Sequence, residues 1–182
     1  MVEAMICSDR LELKRITLQY EEQIKEYISV YEADMKVTYD ENAIPGLDGI
    51  SDIATVRDFI DYTQEMEGKV SWFLSLRKSD GKLIGALVLR HDLSYDQDDG
   101  DFASHIGYSI RPDERRKGYA KEQLMLGLAE AEKIGLKRVR IICRDINEGS
   151  RRTIEACGGR YVDSVYGDES GITVSRYDID IM

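Results

Sequence analysis

The run His105–Lys121, HIGYSIRPDERRKGYAK, constrains this chain more than any other stretch. An extended apolar segment reaches Ile110, Pro112 marks a turn, and Arg115-Arg116-Lys117-Gly118-Tyr119-Ala120 opens an amphipathic helix. That order puts positive side chains and a glycine at an exposed helix N-terminus. There the first four backbone N–H groups lack partners and the helix dipole favours negative charge. Such a site suits a phosphate or pyrophosphate. The five basic residues between Arg111 and Lys121 also run against a chain whose formal charge is −10.

That acidic balance argues against broad nucleic-acid binding and fits a soluble enzyme with a cationic substrate. The 182 residues, 42% hydrophobic, suffice for one domain with its own core, and no repeat or low-complexity tract divides them. Cys7, Cys143 and Cys157 have no paired spacing, and with only His91 and His105 beside them no metal pattern forms. The first residues hold no long apolar run, so neither a leader nor a membrane span is expected, and the cytoplasm is the expected compartment.

Period-two alternation marks a strand over Leu11–Ile16, and Thr17 is expected to cap a helix with Tyr20, Ile24, Tyr27, Ile28, Tyr31 and Met35 as its apolar stripe. An irregular stretch turning at Ile44-Pro45-Gly46 leads to a second helix, capped by Ser51 or Asp52. Ser71–Arg77 and Leu83–Arg90 form a hairpin through Asp80-Gly81. An aspartate-rich surface loop, Asp92–Asp101, precedes a strand over Phe102–Ile110. The helix after the basic turn carries Ala120, Leu124, Met125, Leu128, Ala131 and Ile134 and stops at Gly135-Leu136. A buried strand at Val139–Cys143, a helix from Asn147 to Cys157, and strands at Tyr161–Tyr166 and Ile172–Ile181 complete the chain.

Within the basic turn the spacing is Arg-x-x-Gly-x-Ala. Gly118 permits close backbone approach and Ala120 leaves room for a bulky anion. The same six residues also read as a solvated, charge-rich helix start. Neither a P-loop nor a dinucleotide glycine fingerprint is present.

From Phe102 to Tyr161 the order of strand, Arg-x-x-Gly-x-Ala turn, long helix, apolar strand, Asn147-Glu148-Gly149-Ser150 and the closing Ile154-Glu155-Ala156-Cys157-Gly158-Gly159 resembles the acyl-CoA core of the GCN5-related N-acetyltransferases. The chain looks most like bacterial members of unassigned substrate. The resemblance implies that acetyl-CoA is the co-substrate. Backbone groups of Ser109 and Ile110 would pair with its pantetheine arm. The amides of Arg115, Arg116, Lys117, Gly118, Tyr119 and Ala120 would cradle the pyrophosphate, with Arg115, Arg116 or Lys121 side chains nearby. Asn147 would hold the pantetheine and Ser150 would lie close to the phosphates; each also reads as a helix cap. The core would span about 102–161 and the substrate-side elements about 17–66 of a single domain, residues 1–182.

Amine acetylation needs a neutral nitrogen. Neutralising a lysine-like amine at pH 7 costs roughly 4–5 kcal/mol, an α-amine much less. The family's strand glutamate, often the base, is replaced here by His105, and its tyrosine acid by Ile154. His105 is the candidate base, and also reads as a structural histidine. Tyr161 is the candidate acid, with Tyr108, Tyr166, Cys157 and water as alternatives. Glu32, Asp34, Asp40, Glu41 and Asp48 are candidate ligands for a cationic amine, or ordinary surface charges.

The expected architecture is mixed α/β, with a mostly antiparallel sheet of about seven strands and about four helices; its one parallel contact joins Phe102–Ile110 to Val139–Cys143. The expected function is transfer of an acetyl group from acetyl-CoA to a primary amine, on a small molecule or peptide, by direct attack in a ternary complex. Neither nucleic acid nor membrane is an expected partner, and the final strand is a candidate homodimer edge. A non-catalytic acyl-CoA-binding or interaction module is the first rival. An acyltransferase acting on a protein N-terminus or with longer acyl groups is the second.

Overall fold

The computed structural model describes residues 8–38, 44–95, 102–168 and 170–181, without the side chains of 35–38 and 95. Alternation over Leu11–Arg15 forms β1, which pairs antiparallel with β2, Val70–Arg77. A turn at Asp80-Gly81 returns the chain as β3, Leu83–Arg90, and β3 pairs antiparallel with β4, Ile106–Ile110. These four strands lie in chain order. A second sheet has the order β5-β7-β6, from β5 (Arg138–Arg144), β6 (Arg160–Gly167) and β7 (Ile172–Asp180), all antiparallel.

Alternate residues of β2 face opposite layers. Trp72 and Leu74 pack with Ile24 and Tyr27 of α1 (Glu21–Thr38) and with Phe59 and Ile60 of α2 (Val56–Glu65). Phe73 turns to the other face, toward Leu124, Leu128 and Ala131 of α3 (Tyr119–Lys133) and Ile154 of α4 (Glu148–Ala156). Burial of each large apolar side chain contributes about 1.5–3 kcal/mol, which fixes both helix layers to the sheets.

Mixed α/β architecture, seven strands and four helices agree with expectation among the described residues, but the strands form two sheets in place of one, and the expected parallel ladder between β4 and β5 is not formed. Several local assignments differ. Thr17 precedes a short 3₁₀ turn, Leu18–Tyr20, and its hydroxyl caps nothing. The α2 cap is Thr55, whose Oγ1 accepts the Asp58 N–H at 3.1 Å, and not Ser51 or Asp52, which lie in or beside another 3₁₀ turn. Regular pairing of β4 begins only at Ile106. Ile134 is half exposed beyond the end of α3, where Leu136 N–H bonds back to Ala131 O at 3.1 Å. The final strand, β7, has a partner on each side, so the edges of its sheet are β5 and β6 and the expected dimer edge is not free. Cys7, Asp40, Glu41 and the aspartates 96–101 lie outside the described residues.

Candidate active site

The two sheets meet at one corner. His105 N–H donates to Arg140 O at 2.8 Å, and Arg140 N–H donates to His105 Nδ1 at 2.8 Å. Beyond that clasp β4 and β5 form no ladder. The bonds Arg90 N–H to His105 O and Arg111 N–H to Ile84 O flank the β3–β4 ladder. By antiparallel alternation, Gly107 and Ser109 direct their main-chain groups to β3, while Ile106, Tyr108 and Ile110 direct theirs to the gap. Ser109 therefore contributes its side chain: Oγ bonds the Tyr27 hydroxyl at 2.9 Å and donates to Pro45 O. Ile110 has the outward backbone that sequence reasoning assigned to both residues, though its carbonyl already accepts Arg115 Nε at 3.2 Å.

At the end of β4 the chain makes a 3₁₀ turn, Pro112–Glu114, and enters α3 through two left-handed residues, Arg116 (φ 67°) and Gly118 (φ 85°). Arg116 is the one non-glycine residue with positive φ among those described. Two such residues in three curl the backbone ahead of the helix, and the first-turn amides of α3 point out of its end. The side chains around this cradle divide into two groups. Arg115 is held by Asp34 of α1 at 2.7 Å and stacks over Tyr31, while Lys117 is held by Glu114 at 2.7 Å. Arg116 and Lys121 are exposed and make no ion pair among the described residues. Tyr119 is buried beneath the Arg10 guanidinium, 4.6 Å from the ring centroid, and Ala120 is half-buried. A backbone cradle with two free cations fits a pyrophosphate.

Across the gap, Asn147 is the N-cap of α4 and its Oδ1 accepts the Ser150 N–H at 3.0 Å. Ser150 Oγ lies 3.1 Å from the Tyr108 hydroxyl. Tyr108 is half-buried there, and desolvation raises its pKa above the ordinary phenol value. Cys143 also has its pKa raised by burial, and burial pushes Cys157 up to about 11, so neither thiol is primed as an acyl carrier.

The candidate acid and base are not brought together. Tyr161 stands exposed on β6, its hydroxyl 2.9 Å from Ser164 Oγ and its ring edge-on to Tyr177. His105 is buried, and burial, then the Arg140 guanidinium, lowers its pKa. Its Nδ1 is the acceptor of a backbone bond, so protonation there would break the clasp between the sheets. Ile154, at the family's tyrosine position, is fully buried.

Sequence reasoning missed the braces. Arg10 bonds Glu122 and donates to Lys117 O at 3.0 Å, and Asp34 grips Arg115. Both join residues remote in sequence, and no local pattern announces them.

Residues 10–160 match the family model described as the acetyltransferase (GNAT) domain. The chain belongs to the GNAT acetyltransferases. No curated protein sequence matches it. A Vibrio cholerae structure described as a putative ribosomal-protein-serine acetyltransferase is 20% identical, with TM-score 0.68 and 97% of each chain covered. A Salmonella typhimurium acetyltransferase that modifies the N-terminal serine of ribosomal protein L7/L12 is 15% identical, with TM-score 0.73, 96% of this chain and 97% of the other. The microcin C7 self-immunity acetyltransferase MccE, solved with acetyl-CoA and AMP, is 18% identical, with TM-score 0.71, 96% of this chain and 94% of the other. As a GNAT enzyme the chain moves an acetyl group from acetyl-CoA to an amine. No helix among the described residues is long and apolar enough to cross a membrane, and no described group of His, Cys, Asp and Glu could hold a metal ion.

Proposed function

We propose that this GNAT enzyme acetylates a primary amine in the cytoplasm by direct attack in a ternary complex. The observation that carries the reading is the continuity of the site. A left-handed cradle at Arg116–Gly118 opens onto the unpaired edge of β4, where Tyr108 and Ile110 turn their backbone groups outward. A pantetheine arm can add to that edge as a short strand. Arg116, Lys121 and the amides leading into α3 take the pyrophosphate, and Asn147 and Ser150 take the arm from α4.

The hydroxyl best situated to return a proton to the departing sulfur is Tyr108, with Ser150 as its neighbour. Tyr161 is on the wrong sheet edge for that work. His105 is a positioning residue that closes the β4–β5 corner. Water supplies or removes any remaining proton.

Calorimetric titration with acetyl-CoA, with ATP as control, tests the reading. Micromolar affinity for acetyl-CoA alone, about −8 kcal/mol, is expected. Thiol release should then accompany addition of a suitable amine. Because two structural neighbours are described as ribosomal-protein serine acetyltransferases, the panel includes a serine-initiated peptide beside small amines. The fully buried Ile154, at the position where the family resemblance implies a tyrosine, favours one rival, a non-catalytic acyl-CoA-binding module. Binding without thiol release across the panel would select it.

A further inference from the structure

We propose that Asp48 receives the acceptor's amino group and takes its proton as the C–N bond forms; the inference rests on the reading of the cleft as an acetyl-CoA site. Its basis is the segment Ile44–Asp48. Gly46 has φ 90°, and a Cβ there would lie 2.3 Å from Ala86 O, so this segment lies flat on β3. The neighbouring Pro45 carbonyl is tied to Ser109 Oγ, which anchors the same segment on β4. Gly46 N–H then donates to Asp48 Oδ1 at 3.2 Å, and the carboxylate is aimed at Gly107. A Cβ built on Gly107 would be 3.5 Å from Asp48 Oδ2.

Gly107 occupies the middle of β4, one residue from the outward-facing backbone of Tyr108. It belongs to the sheet face that carries α1, opposite the face from which α3 and α4 line the gap. A carboxylate therefore stands over the only side-chain-free residue of the strand along which the pantetheine would lie, on the face left for the second substrate. Arg90 of β3 faces the carboxylate and makes an ion pair with Oδ2, and its Nη1 donates to Ser104 O at 3.1 Å. It holds Asp48 in place, and the side chain retains one-third exposure. A Cβ at Gly107 would also stand 3.2 Å from Val88 Cγ1 and 3.7 Å from Gly46 N, so any larger residue would press on the segment that carries Asp48.

The chemistry requires such a group. An ammonium is held by a carboxylate through charge-assisted hydrogen bonds. The ammonium first loses one proton to solvent through the carboxylate or a water bound to it. As the resulting neutral nitrogen attacks the thioester carbon, a second N–H becomes acidic enough for the carboxylate or that water to accept. The C–N bond forms, the C–S bond breaks, and the electron pair leaves with sulfur. The nitrogen's proton goes to Asp48 and then to solvent, and the thiolate is protonated from the Tyr108–Ser150 side or from water. This supplies the base that His105, with its Nδ1 occupied, does not.

The test compares wild type with Asp48→Asn, which keeps an oxygen for the Gly46 N–H and loses the charge. The probes are a serine-initiated peptide and N-acetyl-lysine amide, whichever the wild type turns over. We expect acetyl-CoA affinity within about twofold of wild type. The amine kcat/KM should fall on the order of 10²-fold at pH 7. That loss should shrink to less than about tenfold near pH 9.5 for the peptide's α-amine, or near pH ~10.5 for the lysine ε-amine, where about half or more of each is already neutral. A loss that is the same at both pH values, or no loss, overturns the proposal. Should Asp48→Asn fail to fold, Gly107→Ala takes its place, with amine KM expected to rise by about tenfold or more at unchanged acetyl-CoA affinity. An unchanged amine KM in that variant also overturns it. A wild type that releases no thiol from acetyl-CoA with any amine sinks instead the reading on which the proposal rests.

Discussion

His105 shows how one atom decides between two roles. An imidazole that accepts a backbone N–H at Nδ1 is neutral, and burial keeps it so. Its folded pKa is lowered, so the unfolded chain binds the proton more readily. Stability from this group is present above the unfolded value of about 6.5 and is lost as pH falls through it. Chemical denaturation of wild type should show a decline below about pH 6.5 that His105→Ala lacks. At pH 7.5 the variant should be less stable by about 1–3 kcal/mol, because Arg140 N–H loses its acceptor. Gly118 presents the complementary case. At φ 85° any side chain is strained, and Gly118→Ala should cost about 1–2 kcal/mol while leaving acetyl-CoA binding measurable. Gly118→Asp adds a carboxylate where the pyrophosphate is proposed to sit. Calorimetry should find its affinity lower by about 2 kcal/mol or more than that of Gly118→Ala; equal affinities would take the phosphate away from this turn.

At the scale of elements, the turn between β4 and α3 is bolted to the β2–β3 hairpin by two carboxylates, Asp113, which accepts from Lys82 at 3.3 Å, and the more heavily bonded Glu114. Glu114 accepts from Lys117 and Lys82 at 2.7 Å each and from Arg77 at 3.1 Å. Bonds from Lys117, then Lys82, hold its pKa down to about 2. That stabilisation is present above the unfolded value near 4.3 and disappears as pH falls toward 2. Glu114→Gln should therefore unfold more easily by about 1–3 kcal/mol at pH 7, with the gap to wild type closing below about pH 4. A gap that persists at pH 2.5 would mean that packing, not charge, fixes the turn.

The elements also show which features the sequence could convey. The cradle was legible because its demands are local: a glycine at a left-handed position, cations beside it, a helix directly after. So were the hairpin at Asp80-Gly81 and the stop at Gly135. Caps were ambiguous wherever several small polar residues compete, as with Ser51, Asp52 and Thr55. Braces were illegible because they close over distance: Arg115–Asp34 spans 81 residues and Arg90–Asp48 spans 42. The same reason hid which side chains of the basic turn remain free. The place of β7 at the centre of its sheet is likewise absent from its alternation, which describes faces and not neighbours.

For the whole molecule, the division into two sheets makes ligand and stability one problem. The four-stranded and three-stranded sheets share an apolar layer under α3 and α4 but only the His105–Arg140 clasp as a hydrogen-bonded joint between β4 and β5. A pantetheine added along β4 would complete the missing ladder and bind only the folded chain. At a concentration a hundred times Kd it should stabilise the protein by about 2.7 kcal/mol. For a chain of 182 residues that corresponds to a rise in Tm of roughly 5–10 °C. Hydrogen exchange then separates a bridging ligand from one held by the cradle alone. Bridging should slow exchange at Tyr108 and Ile110 on β4 and at residues 141–144 on β5 together. Protection confined to the amides around Gly118 and Tyr119 would mean that the ligand's phosphates bind while the gap between the sheets stays open, and Tyr108 would then lose its place beside the sulfur.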